Sequence, residues 1–179
     1  MATSEEENDE KEERKIAQAQ RLHEVVRQIR GRLLNSVAVI DVDVSRLLAA
    51  YFCYDDKRRD LALSEVFVRP LQLRHKVGLL KKVLEKDFSW YLEKNSQAMF
   101  KDLETLMKFR NRLAHSTVDV SDEALGKDPK EEVGFVFYSD GQRHVQKVTP
   151  QIVDDLQVKA NMTHSRMIEL GKILGAKIS

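Results

Sequence analysis

Residues Arg21–Ile40 read RLHEVVRQIRGRLLNSVAVI, and the spacing of the apolar residues in this stretch predicts the class of the fold. They recur at steps of three and four residues, the period of one helix face: Leu22, Val25, Val26, Ile29, Leu33, Leu34, Val37 and Ile40. The pattern continues outward to about Glu12 and Ala50, so we expect one long amphipathic helix. Gly31 costs this helix only about 1 kcal/mol relative to alanine and does not end it.

Helical periodicity returns further along the chain, in segments that begin or end at a cap or a proline. We predict helices at about 60–68, 71–86, 96–115 and from 150 to the C-terminus. Thr149 and Pro150 begin the last of these, since threonine is a good N-cap and proline suits the first helical turn. The segment VAVIDVDV, residues 37–44, alternates like a strand, but it lies inside the first helical pattern, so we favour helix.

A β-hairpin is predicted between the last two long helices. The stretch VGFVFYSDGQRHVQKV, residues 133–148, has strand-like alternation that is broken by Asp140-Gly141. An Asp-Gly pair between two such runs is a strong signal for a two-residue hairpin turn, because both positions need positive φ. We therefore expect a hairpin insertion at about 132–148, and loop over the preceding residues 116–132.

The composition agrees with a mainly helical domain. Hydrophobic residues make up 42% of the 179-residue chain, Gly and Pro number 7 and 3, and aromatic residues are 7%, which favours long helices over short strands. We expect an all-α protein, an antiparallel bundle of four to five helices with one hairpin inserted before the C-terminal helix. Residues 14–179 form this domain, and the acid-rich residues 1–13 form a disordered or fraying tail.

Several classes of protein are disfavoured by the sequence. Cys53 is the single cysteine, so no internal disulfide or cysteine-based zinc site can form, and a reducing compartment is expected. The longest apolar runs fall short of the roughly 20 residues of a membrane span, and the N-terminus is acidic where a signal peptide would be basic. Neither a Gly-rich phosphate loop nor a metal-ligand spacing is present. We expect a cytoplasmic protein with no membrane contact, no cofactor and no metal.

A basic segment precedes the middle of the chain. Residues 57–86 carry nine Lys and Arg against three acids, a net charge of +6, whereas the whole chain has +1. Such a segment can bind a polyanion, and the alternative is an ordinary solvated helix face. If the partner is RNA, we expect phosphate contacts from Arg74, Lys76, Lys81, Lys82 and Arg112.

Residues Phe109–Ser116, FRNRLAHS, end the third long helix and form the candidate functional motif. At about 100° per residue, Arg110 falls inside an apolar arc made by Leu103, Leu106, Met107, Phe109 and Leu113. An arginine among apolar groups needs a partner or a ligand, unless it lays its stem across them and keeps its charge in water. Asn111 and His115 lie on one shoulder of the helix beside the small Ala114. The alternative role for His115 is simple capping, because a histidine at the C-terminal end of a helix interacts favourably with the helix dipole.

The segment RNRLAH resembles the arginine-to-histidine motif of the HEPN domains (higher eukaryotes and prokaryotes nucleotide-binding). Arg110 is followed by the polar Asn111 and, after four intervening residues, by His115, which is the Arg-x4-His form. HEPN domains are antiparallel helical bundles with this motif near the end of a late helix. The resemblance covers about residues 15–176, and the hairpin at about 132–148 departs from the family pattern.

Many HEPN proteins are metal-independent endoribonucleases that act as homodimers, with the motif helices of two chains facing each other. The resemblance implies that Arg110 holds the scissile phosphate and that His115 is the general acid or base when the ribose 2′-hydroxyl attacks. Asn111 would orient His115 or the phosphate. An apolar seam around these residues would be buried by the second copy. RNA is the implied substrate, and an antitoxin or a larger defence complex is an implied regulator.

Two alternatives remain open. The first is a non-catalytic HEPN-like module that binds a nucleotide or a partner protein within a defence or regulatory assembly. The second is a structural helical oligomer in which Arg110 pairs with an acid such as Glu104 or Asp154. Under the second alternative, loss of Arg110 lowers stability, because a buried acid is left without its partner.

Overall fold

The computed structural model describes residues 4–53, 68–92 and 96–175, and this part of the chain is mainly helical. Its helices are α1 (Ser4–Phe52), α2 (Leu73–Asp87), α3 (Ser89–Tyr91), α4 (Gln97–His115), α5 (Asp122–Leu125) and α6 (Pro150–Leu174). One antiparallel sheet has the strand order β1 (Thr117–Val118), β2 (Val133–Ser139), β3 (Gln142–Val148). The predicted fold class, mainly helical with a hairpin before the C-terminal helix, is confirmed.

The first helix is longer than the sequence predicts. α1 begins at Ser4, so residues 4–13 are helical where the sequence predicts a disordered or fraying tail. Glutamate is a good helix former, and negative charge is stabilising at the N-terminal end of the helix dipole. Arg14 also pairs with Glu10 one turn earlier, at 3.3 Å. The alternating segment 37–44 lies inside α1, so the helical interpretation of that segment is confirmed.

The chain divides into two compact units, each built from segments that are distant in sequence. The sheet unit contains the described residues up to Leu33 together with Asn111–Asp155. The helical unit contains Leu34–Arg110, where described, together with the residues from Leu156 onward. Helices α1, α4 and α6 each contribute one part to the sheet unit and one part to the helical unit.

The sheet unit is organised by the predicted hairpin. Asp140 and Gly141 have φ of 52° and 74°, the left-handed conformation that a tight two-residue turn requires. They join β2 to β3 directly after the pair Ser139↔Gln142. The buried apolar residues of this unit are Leu22, Val26, Leu33, Leu113, Val133, Phe135, Val136, Val148 and Val153.

The segment 116–132, predicted as loop, contains two short elements. β1 pairs with β2, so that Thr117 lies opposite Val136. α5 follows Ser121, whose hydroxyl accepts a hydrogen bond from the backbone N–H of Ala124 at 3.4 Å. The loop prediction was wrong here because a strand of two residues is too short to show an alternating pattern of apolar and polar residues. Its partner strand, β2, is also not adjacent to it in the sequence.

In the helical unit, the apolar stripes predicted from the sequence are buried. The largest members are Ile40, Leu47 and Leu48 of α1, Leu80 and Leu84 of α2, Met99 and Leu103 of α4, and Met167 and Leu170 of α6. The bounds of α2 and α4 lie within two residues of the predicted ones. The short helix expected at about 60–68 falls on residues that lie, except for Val68, outside the described ranges.

The last helix begins as predicted. The Thr149 hydroxyl accepts a hydrogen bond from the backbone N–H of Ile152 at 3.4 Å, and Pro150 is the first helical residue. Over residues 4–53, 68–92 and 96–175, none of the helices combines the length and the apolar character that a bilayer span requires.

Candidate functional site

Arg110 interrupts the buried stripe of α4. Met99, Leu103 and Leu106 are buried at alternating steps of four and three residues, and Leu113 continues the series beyond Arg110. Arg110 occupies the intervening position of that series and is nevertheless exposed. The apolar arc predicted around Arg110 is therefore present, and the arginine within it reaches the surface.

Asn111 and His115 are also exposed, one turn apart near the end of α4. Ala114, which lies between Arg110 and Asn111 around the helix, is exposed as well. The division of the chain falls between Arg110 and Asn111, so that Arg110 belongs to the helical unit and Asn111 and His115 to the sheet unit. The continuous helix α4 contains all three.

Arg30 of α1 holds the end of α4, and the sequence analysis did not identify it. Its guanidinium donates to the backbone carbonyl of Ser116 at 2.6 Å and to the hydroxyl of the same residue at 3.2 Å. The Ser116 hydroxyl donates in turn to the carbonyl of Leu113 at 3.1 Å. The guanidinium also lies over the ring of Phe135, 5.4 Å from its centroid. Arg30 thus supplies a donor to the carbonyl that directly follows His115, and the Ser116 hydroxyl supplies one to a carbonyl of the last helical turn, where intrahelical donors are lacking.

Arg112, predicted as an RNA contact, is exposed and takes part in a stack of planar side chains. Its guanidinium carbon lies 5.5 Å from the centroid of the Phe137 ring. The Phe137 ring is stacked in turn with the His144 imidazole, at a centroid distance of 5.4 Å and an interplanar angle of 21°. We call Arg112, Phe137 and His144 the planar stack.

The basic side chains of residues 57–86 differ in how far they are exposed to solvent. Arg74, Lys81 and Lys82 are exposed on α2, as a contact with RNA phosphates requires. Lys76 is only 2% exposed, and its ammonium group lies 2.7 Å from the Asp41 carboxylate, so the prediction that it contacts RNA is wrong. The reason is helical phase, because Lys76 lies on the buried stripe that also contains Val77 and Leu80. Residues 57–67 of this segment lie outside the described ranges.

Most of the large apolar side chains around the motif are buried within one chain. Leu103, Leu106 and Leu113 are buried, whereas Met107 and Phe109 are half-buried, so the expected apolar seam is small in a single chain. The exposed residues around the motif are Arg110, Asn111, Arg112, Ala114 and His115. Any contact between two copies at this helix would therefore join largely polar surfaces.

Glu104 and Asp154, the acids suggested as structural partners of Arg110, form ion pairs with Lys108 and Arg32. Glu104 pairs with Lys108 at 2.9 Å, within α4. Asp154 lies 3.7 Å from Arg32, within the sheet unit.

A buried acid and a half-buried histidine form a pair that the sequence analysis missed. Oδ2 of Asp43, in α1, lies 2.6 Å from Nδ1 of His164, in α6. The Asp43 side chain is 2% exposed and that of His164 is 29% exposed. The pair holds the imidazole by Nδ1 and fixes its orientation. The sequence does contain a signal for this pair. Asp43 lies between Ile40 and Val44 on the apolar stripe of α1, where a buried acid needs a partner.

Replacing Asp43 with asparagine should change how stability depends on pH. Burial raises the pKa of the Asp43 carboxyl above its ordinary 3.8, and the hydrogen bond from His164 opposes this only in part. An acid whose pKa is raised by folding favours the fold when protonated, and this contribution is lost as pH rises through the raised pKa. The free energy of unfolding of the parent, minus that of Asp43→Asn, should therefore fall as pH rises above the ordinary pKa of 3.8.

Urea titrations of both proteins across this range measure that difference. Asp155→Asn is the matched control, because Asp155 is an exposed acid of α6, the helix that also carries His164. A parent-minus-variant difference that stays constant or increases with pH would contradict the assignment.

Metal-ligating side chains do not converge in the described part of the chain. In those ranges, no group of three His, Cys, Asp or Glu residues could hold an ion. Cys53 is half-buried and forms no disulfide within the described ranges.

Comparison of the chain with protein-family models, with curated proteins and with solved structures found no match. The functional argument therefore depends on the residues of this chain and on their arrangement.

Proposed function

We propose that this protein is a metal-independent endoribonuclease of the HEPN type that acts as a homodimer. The observation that carries the proposal is the exposure of Arg110 at a position of α4 where the helical period calls for a buried residue. Asn111 and His115 follow it on the same helix and are exposed as well. An arginine and a histidine in the Arg-x4-His spacing of HEPN domains, both reachable from solvent, support chemistry on a phosphodiester.

Each residue has one role in the proposed reaction. The His115 imidazole takes the proton of a ribose 2′-hydroxyl, whose oxygen forms a bond to the adjacent phosphorus. The bond from phosphorus to the 5′-oxygen of the next nucleotide breaks, and that oxygen receives a proton. Arg110 donates two parallel N–H bonds to the phosphate oxygens, where negative charge increases in the transition state. The products are a 2′,3′-cyclic phosphate and a free 5′-hydroxyl.

The need for two proton carriers supports the homodimer. One imidazole must accept the proton of the 2′-hydroxyl while another group protonates the leaving 5′-oxygen. One chain supplies a single His115 at the motif, and a two-fold axis beside α4 would bring a second His115 to the same phosphate. Asn111 would orient the imidazole one turn away from it on the helix.

Phosphate contacts outside the motif would add affinity without choosing a sequence. Arg74, Lys81 and Lys82 are exposed and can each neutralise a phosphate, which makes binding weaker as salt concentration rises.

The test is an assay for cleavage of a generic single-stranded RNA in excess EDTA, together with the mass of the purified protein. We expect a dimer that cleaves the RNA and leaves cyclic phosphate ends. Products with a 5′-phosphate would contradict attack by the 2′-hydroxyl, and full activity of a monomer would contradict the shared site. A dimer that binds nucleotides but never cleaves RNA would instead identify a non-catalytic module.

A further inference from the structure

The planar stack joins the end of the motif helix to the hairpin. Arg112 comes from the last turn of α4, Phe137 from β2 and His144 from β3. The centroid of the Phe137 ring lies 5.5 Å from the Arg112 guanidinium carbon and 5.4 Å from the His144 ring, which is tilted from it by 21°. Three planar groups, one of them cationic, are thereby in contact one after another.

Contacts within the sheet unit hold this stack in place. Phe137 and His144 are direct cross-strand partners in the β2–β3 register, so their side chains project from the same face of the hairpin. Gln146 lies two residues after His144 and projects from that face too, and its side-chain oxygen accepts a hydrogen bond from Arg112 at 3.4 Å. The stack is therefore assembled before any ligand arrives, and little side-chain freedom is lost on binding.

One end of the stack is open to solvent. Phe137 is half-buried, whereas Arg112 and His144 are both exposed. Among the described residues, none hydrogen bonds or forms an ion pair with the His144 ring. An exposed aromatic ring that is already packed on one side can receive another planar group on its other side.

We propose that the planar stack binds an unpaired base of single-stranded RNA, which adds to the stack on His144. Bases stack on aromatic side chains and on guanidinium planes irrespective of sequence, and only unpaired bases have a free face. The positive charge of Arg112 matches the phosphate chain that carries the base. This inference rests on the proposed function for its ligand, RNA, and it names the form of RNA that the site accepts.

Arg112 lies close to His115, the residue that transfers the proton in the proposed reaction. Arg112 and His115 are three residues apart on α4, both exposed and both in the sheet unit. Residues at that spacing have Cβ atoms about 5–6 Å apart on a helix surface. A base stacked on His144 would lie beyond Phe137, at the end of the stack away from Arg112 and His115. It would therefore be an unpaired base that flanks the cleaved bond at a distance, not one of the two nucleotides that the bond joins.

The experiment measures binding without cleavage. All proteins carry His115→Ala and are kept in EDTA, and the probe is a fluorescently labelled oligoadenylate of about twelve nucleotides, followed by anisotropy. His144→Ala should weaken binding about tenfold, since stacking with the base is lost. Arg112→Lys keeps the charge but removes the planar group, and it should weaken binding several-fold. His144→Phe retains an aromatic face and should bind like the parent.

Tyr138→Ala is the matched control. Tyr138 is 72% exposed and follows Phe137 on β2, so its side chain projects from the opposite face of the hairpin. Its removal deletes an equally accessible aromatic ring and should leave the affinity unchanged. If Tyr138→Ala lowers the affinity as much as His144→Ala does, the base does not bind specifically on the hairpin face that carries His144.

Three further outcomes would overturn the proposal. They are affinity that survives in His144→Ala, equal affinity for an abasic oligonucleotide of the same length, and equal affinity for a duplex. The proposal would also be overturned if the His115→Ala parent does not bind the oligoadenylate. Failure of the cleavage assay contradicts the proposed function alone, because this measurement uses protein that cannot cleave.

Discussion

Replacing His115 with alanine should lower the rate of RNA cleavage by about 10²–10⁴-fold, the usual contribution of a general acid or base. The effect should be almost entirely on the chemical step, because His115 transfers a proton and contributes little to binding. His115 is exposed, so its removal should change the free energy of unfolding by less than about 0.5 kcal/mol. Initial cleavage rates in EDTA, paired with urea titrations, measure both effects.

Arg110→Ala should lower cleavage by about 10²–10³-fold, because charge on the phosphate oxygens loses its donor. Arg110→Lys should recover only part of the rate, since an ammonium group cannot donate two parallel bonds. His23→Ala is the control for both variants, because His23 is an exposed helical histidine with no assigned role. Unchanged cleavage in Arg110→Ala, accompanied by a large loss of stability, would favour the structural oligomer instead.

Asp41→Ala should destabilise the protein by about 3 kcal/mol, whereas Lys76→Met should be neutral or stabilising. Lys76 is 2% exposed and its ammonium group lies 2.7 Å from Asp41, whose side chain is 38% exposed. Removing the acid leaves a buried charge without its partner, while removing the lysine leaves a carboxylate that water can still reach. The midpoint and slope of urea unfolding measure both changes.

An exposed ion pair of similar geometry provides the control. Lys15 and Asp122 lie 2.8 Å apart, with side chains 46% and 82% exposed. Lys15→Ala should change the free energy of unfolding far less than Asp41→Ala does, because water screens this pair. Equal losses from Asp41→Ala and Lys76→Met would mean that the pair itself, rather than the buried ammonium group, determines the stability.

Local patterns in the sequence were sufficient to predict the long helices and the hairpin. The three- and four-residue steps of α1, and Asp140-Gly141 between two alternating runs, act over a few neighbouring residues. The same holds for Thr149 as the cap of α6, whose acceptor and donor are three residues apart. Each of these signals is complete within one segment, so no knowledge of the tertiary structure is needed to interpret it.

The contacts that surround the candidate site could not be predicted in this way. Arg30 reaches Ser116 across 86 residues of sequence, and Asp43 reaches His164 across 121. No periodicity within one helix specifies which distant helix end or side chain will be its partner. Counting charges failed at Lys76 for a different reason, because it treated every lysine of α2 as exposed, whereas the helical phase placed this one on the buried stripe.

Arg30 has a consequence for the motions of the motif. The last turn of a helix usually frays, because its carbonyl groups lack intrahelical donors. Here the guanidinium of Arg30 donates a hydrogen bond of 2.6 Å to the carbonyl of Ser116, the residue directly after His115. This hydrogen bond limits fraying of the helix end that carries the imidazole, because it holds the backbone directly after His115.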